Sequence, residues 1–183
     1  MRRSACVVTA LFAVLLVACG GGGGGGPVVP GTPTSLSGTW VTSGDDVAGT
    51  PVDCIATGGA ASPPGGIVSL AAVCLASPGV TVEQTGTSLT IPSQPLSCNL
   101  GASPLGGMVS GVGTVSGDGQ VDVTLLYAIS TPGGIVPLAE RYSGTAAGLT
   151  LPLAWLRAWG TELSGDQLDC TLDTPTVTFT VTP

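Results

Sequence analysis

The chain has 183 residues, no histidine and no lysine, and its four arginines stand against 11 acidic side chains, a formal net charge of −7. That balance excludes electrostatic capture of nucleic acid or of anionic lipid headgroups. The missing imidazole and amine groups exclude a Ser-His-Asp triad, a Cys-His dyad, a lysine Schiff base and an imidazole metal site.

The N-terminus has the parts of a secretory signal. Arg2 and Arg3 precede an almost unbroken apolar run from Ala5 to Val17, shorter than the roughly 20 residues a membrane-spanning helix needs. The run ends in Leu16-Val17-Ala18-Cys19, which resembles the lipobox of bacterial lipoproteins: an aliphatic residue, a tolerant position, a small residue and a cysteine. The resemblance implies that residues 1–18 are cleaved as a signal peptide and that Cys19 carries a diacylglyceryl (palmitate-type) anchor. Each buried methylene contributes about 0.8 kcal/mol, so two or three acyl chains hold firmly where one does not. Gly20 rather than Asp follows the cysteine; in the lipoprotein family this points to the outer membrane rather than the inner one.

Residues 19–35 form a tether, because Gly20 to Gly26 is flexible coil and Pro27 to Pro33 a stiffer, extended piece. From Leu36 the composition becomes strand-like, and residues 36–183 suit one domain with a real core. Loss of Arg2 and Arg3 with the signal leaves Arg141 and Arg157 as the only cations.

The first strand is expected at Leu36-Ser37-Gly38-Thr39-Trp40. Its Gly-x-Trp resembles the opening of the calycins, the lipocalin and avidin-like barrels, in which the tryptophan plugs one barrel end; the resemblance implies an eight-stranded barrel and a small apolar ligand. The later lipocalin motifs are missing, and Trp40 reads equally as a core aromatic on a strand. Val80 to Gln84 and Ser88 to Ile91 read as a hairpin around Thr85-Gly86-Thr87. Turns are expected at Gly106-Gly107, Asp118-Gly119, Gly133-Gly134 and Gly165-Asp166. Period-two alternation marks Gln120 to Leu125, and most cleanly Thr176 to Thr182, with Val177, Phe179 and Val181 on one face. No segment combines helical periodicity with capping, although Leu153 to Trp159 fits both periods. The expected fold is all-β, an antiparallel meander of about eight strands closed or nearly closed into a barrel, or alternatively a sandwich.

Cys6 leaves with the signal and Cys19 goes to lipid, which leaves Cys54, Cys74, Cys98 and Cys170. An even number in an exported chain reads as two disulfides; a zinc site lacks both a C-x-x-C pair and histidine. Cys74 and Cys98 flank Gly86 symmetrically, so a continued hairpin would bring them together and leave Cys54 for Cys170.

No cofactor is implied. Paired carboxylates at Asp45-Asp46, Asp118/Asp122 and Asp166/Asp169 are the remaining catalytic candidates, each beside Gly or Ser where Asp favours turns. Trp155, Arg157 and Trp159 would share one face if Leu153 to Trp159 is a strand; with Trp40 they form the candidate ligand or contact cluster. The opposing reading puts the tryptophans in the core with Arg157 reaching outward. The chain is therefore expected to be a lipid-anchored envelope lipoprotein with a non-enzymatic β domain. Its partners would be the membrane through the anchor and an envelope protein, or alternatively a small apolar ligand; a carboxylate hydrolase is the remaining reading.

Overall fold

A computed structural model describes residues 35–45, 47–56, 67–100, 103–161 and 167–183, with the side chains of 56, 98–100 and 103 left aside. The signal, Cys19 and the Gly/Pro tether lie outside the described residues, as do Asp46, Asp166 and the turn expected at Gly165-Asp166.

Strict alternation makes the last strand the simplest: Thr176–Thr182 buries Val177, Phe179 and Val181 and turns every threonine outward. In chain order the elements are β1 (Gly38–Thr42), β2 (Ala48–Gly49), β3 (Pro51–Ala56), β4 (Ile67–Val68), α1 (Leu70–Cys74), β5 (Val80–Thr85), β6 (Ser88–Leu100), β7 (Ser103–Val115), β8 (Gln120–Thr131), β9 (Gly134–Thr145), β10 (Thr150–Thr161), β11 (Gln167–Leu172) and β12 (Thr176–Thr182). Eight of them, β1-β5-β6-β7-β8-β9-β10-β12, form an antiparallel ring that β12 closes by pairing with both β1 and β10. The barrel is the expected fold, and closure removes the exposed edges an open meander would leave.

The two ends differ. The lower end carries the β5–β6, β7–β8 and β9–β10 turns. The upper end carries the β6–β7 and β8–β9 connections and the insertions. β10 belongs to both: its first part, Thr150 to Ala154, pairs with β12, and its last part, Arg157 to Thr161, pairs with β11. β11 in turn pairs with β3, so a two-stranded extension stands beside the ring at the upper end. The switch falls at a β-bulge between Trp155 and Arg157, the kind of irregularity that lets a strand change partners.

Inside the ring, Trp40, Trp155, Tyr142 and Phe179 are fully buried together with Leu36, Leu75, Leu89, Ile91, Leu125, Leu151 and Leu153. Phe179 packs against Trp40 at 5.8 Å and edge-on against Tyr142 at 5.6 Å, while Tyr142 stacks on Trp155 at 6.4 Å. Gly38 shows why the first strand begins with glycine. Its φ is +139°, and a Cβ there would sit 2.3 Å from the Thr182 carbonyl oxygen, so any side chain would force β1 and β12 apart.

Three expectations are corrected. A helix was not expected, yet α1 is helical: Ser69 caps it, its Oγ accepting from Ala72 N. Leu70, Ala71, Ala72 and Cys74 are buried, which makes α1 a plug at the upper end. Thr42, at the end of β1, donates its hydroxyl to the Ala71 and Ala72 carbonyls and its N–H to Leu75 O. Five residues cannot show helical periodicity, so tertiary packing makes this helix. Second, Gly106-Gly107 is not a turn. Both lie within β7, where a Cβ on Gly107 would come 2.2 Å from Ala128 O, so the glycine serves a close strand approach.

Third, the 80–91 hairpin forms, with Thr85 opposite Ser88, but does not continue to the cysteines. Cys74 ends α1 instead of lying on a strand facing Cys98. It is disulfide-bonded, and α1 packs on β6, the strand that carries Cys98. The Cys54–Cys170 bridge forms as expected, across paired positions of β3 and β11.

Candidate functional site

The bulge in β10 separates the residues that sequence alternation grouped. Leu153 to Trp159 is strand, but Trp155 points inward opposite Tyr142 while Arg157 and Trp159 lie on the outer face, opposite Arg141 and Ala139. Trp40 and Trp155 are core and have no access to solvent. The Trp155 indole N–H is buried with no hydrogen-bond partner. Of the four clustered candidates, only Arg157 and Trp159 stay together at the surface. The Arg157 guanidinium lies 5.1 Å from the Trp159 ring centroid, and its Nε donates to Asp169 Oδ1 at 2.7 Å. That pairing holds the Asp169 carboxyl below its ordinary range.

Strand register extends this outer face. Leu126, Ala139, Trp159, Asp169 and Ile55 stand opposite one another across β8, β9, β10, β11 and β3. The row lines a groove of about 580 Å³. Leu126 is 44% exposed and Ile55 69%, and Met108 on neighbouring β7 is 40% exposed. One row over, Arg141 makes a two-toothed ion pair with Asp122, at 2.6 and 3.1 Å. Both cations of the described barrel thus sit on this outer face, each engaged by an aspartate across a strand.

Among the described residues the paired carboxylates do not converge on a cleft; Asp46 and Asp166 lie outside them. Asp122 and Asp169 are taken by arginines on neighbouring strands. Asp118 bonds the Ser116 hydroxyl inside its own β7–β8 turn, which lowers its pKa. Asp45 is in an exposed loop. Among the described residues no group of three or more His, Cys, Asp or Glu side chains is placed to hold a metal ion.

The site that strand alternation passed over lies inside. Glu140 on β9 is 3% exposed. Its Oε1 accepts from Leu70 N at 2.9 Å; its Oε2 accepts from Ala71 N at 3.1 Å and from the Tyr127 and Tyr142 hydroxyls, each at 2.8 Å. The Tyr142 hydroxyl also meets Ser69 Oγ at 2.7 Å. All four partners of the carboxyl are donors, which suits the ionised form. Burial nevertheless raises its pKa above the ordinary value, against the opposing pull of those hydrogen bonds. Burial, then the nearby Glu140 charge, pushes both tyrosines well above theirs. A carboxylate binding two helix amides and two phenols is a clamp: it seats α1 in the barrel mouth. The signal for it was Leu138-x-Glu140-x-Tyr142, an acid on the inward face of an alternating strand.

No protein-family model, no curated protein and no solved structure matches the chain. The fold is an eight-stranded antiparallel barrel with a two-stranded extension, and its site residues carry the functional argument alone.

Proposed function

We propose that this is a lipid-anchored cell-envelope lipoprotein whose barrel is a non-enzymatic interaction module that works through its outer face. The observation that carries the reading is the contrast between the barrel's two surfaces. The inner one is filled by Trp40, Trp155, Tyr142, Phe179 and the clamped helix. The outer one presents Leu126, Ile55, Trp159 and Asp169 along one groove, with Arg157 over the Trp159 ring and Met108 exposed on neighbouring β7. Exposed apolar and aromatic groups beside ion-paired arginines resemble the anchors of protein interfaces, where Trp and Arg are enriched. The Leu16–Cys19 lipobox and the Gly/Pro tether support the anchored location, and the Gly38-x-Trp40 opening is the one feature of the barrel that resembles the calycins. A lipocalin-like central cup has less support, since the axis of the barrel is occupied by its own side chains.

Two arms test the reading. Cys19→Ala should move the protein out of the membrane fraction and remove the diacylglyceryl mass from its N-terminal peptide. A photoreactive amino acid at position 126 should give a discrete crosslinked partner in intact cells, lost with Trp159→Ala, while position 81, at an exposed site on β5, gives none. An unchanged membrane fraction after Cys19→Ala rules out the lipid anchor; equal crosslinking from both positions rules out the outer-face reading.

A further inference from the structure

We propose that the cavity between the α1 plug and the inner face of β9, β10 and β11 binds a neutral, apolar molecule about the size of one aromatic ring. This site goes beyond the outer-face reading: it takes a small molecule on the inner side of the same strands, where Leu138, Ala139, Trp159, Gly160 and Leu168 border both it and the outer groove. It exists because β10 leaves β12 at the bulge. Above that point the inner face is no longer covered by the ring; among the described residues β4 and the start of α1 lie over it. The cavity measures about 150 Å³ and is partly open to solvent. Leu138, Ala158 and Leu168 wall it from three consecutive strands, and Ile67 and Val68 face them.

Size and lining set the ligand class. An apolar cavity of about 150 Å³ has room for a molecule such as benzene. Among the described residues the lining is apolar apart from Glu140, with Trp159 the one aromatic in it, so the desolvation of a polar ligand would go largely uncompensated. Among the described residues Glu140 is the one ionisable group in the wall, and its two oxygens are committed to the amides of Leu70 and Ala71 and the two tyrosines. Its charge opposes an anionic head such as a fatty-acid carboxylate, so the ligand is neutral. Ala158 is the small residue that keeps the space open at the centre of the strand trio.

Methyl-resolved NMR of the full mature chain, anchored in lipid nanodiscs and titrated with benzene, tests the site. Saturable shifts are expected at the methyls of Ile67, Val68, Leu138 and Leu168, with none at Leu36 and Leu151 in the closed half. Benzoate should bind at least tenfold more weakly than benzene. Ala158→Leu should fill the space and weaken benzene at least tenfold with the near-ultraviolet circular dichroism retained. If that variant loses its fold, Ala158→Val makes the same test with a smaller wall and a smaller expected loss. Shifts that are unsaturable or uniform across the core, equal binding of benzoate, or undiminished binding to the folded filled variant would each overturn the proposal.

Discussion

In the lower half of the barrel β12 runs between β1 and β10 and every second residue of it enters a core of aromatic and aliphatic side chains. In the upper half β10 has left β12, two added strands stand beside the ring, and closure depends on a five-residue helix, one carboxylate and a disulfide. Continuous ladder pairing holds the first half, and a few long-range polar and covalent ties hold the second. Loss of one residue should therefore weaken the lower half as part of the whole, whereas the upper half should open locally. Apolar packing spreads its energy over many contacts; a clamp concentrates it in a few.

The comparison breaks most visibly with the largest truncations. Phe179→Ala, at the centre of the closed half, should lower global stability by about 3–5 kcal/mol, read as a shift of the single unfolding transition. Replacing both Cys54 and Cys170 with alanine releases a link spanning 116 residues and should cost about 2–5 kcal/mol; the protection lost first in hydrogen exchange should be that of β3 and β11. Glu140→Ala leaves two amides and two hydroxyls without their acceptor, each worth roughly 1–3 kcal/mol if water does not replace it. Its effect should fall on α1 and leave the β8–β9 ladder protected. Trp159→Ala, on the outer face, should change stability by only about 0.5 kcal/mol while abolishing the in-cell crosslink.

The smallest effect is the pH dependence, and its sign separates two ties within the upper half, the buried Glu140 clamp and the exposed Asp169 ion pair. Burial raises the Glu140 pKa above 4.5, so the folded protein binds that proton more tightly than the unfolded chain. Its contribution to stability grows as pH falls from the raised value toward 4.5 and is lost as pH rises through it. Asp169 has the opposite sign: its pKa is held below 3.8, mainly by the Arg157 hydrogen bond. Its contribution is present above 3.8 and lost as pH falls through the folded value. Melting temperatures should show wild type gaining on Glu140→Gln as pH falls toward 4.5. Below 3.8 wild type should lose its lead over Asp169→Asn.

Legibility in the sequence follows the same division. The lower half was readable because period-two alternation is local: Thr176 to Thr182 and Gln120 to Leu125 both become strands with the expected inward faces. The hairpin at Gly86 was readable for the same reason, since a two-residue turn and its flanks lie within one window. The upper half was not. A single bulge reversed the inferred partnership of Trp155 with Trp159, and alternation carries no mark of an inserted residue. The plug was illegible because Ser69 to Cys74 is held by groups 29 to 73 positions away, on Thr42, Glu140 and Tyr142. The Cys54–Cys170 pair emerged only by elimination, and the reason given for it, a continued hairpin between Cys74 and Cys98, is not how the chain arranges Cys74.

Everything assigned to the outer face rests on the plug being seated, since an empty upper mouth would make the barrel a cup. Amide hydrogen exchange at Leu70 and Ala71, measured beside the strand amides of β8 and β9, tests this directly. Both amides are buried and bonded to Glu140, so they should exchange orders of magnitude more slowly than free peptide in the wild type and lose that protection in Glu140→Ala while the strands keep theirs. Rapid exchange of Leu70 and Ala71 in the wild type, with the strands protected, would show an unplugged barrel and contradict the account.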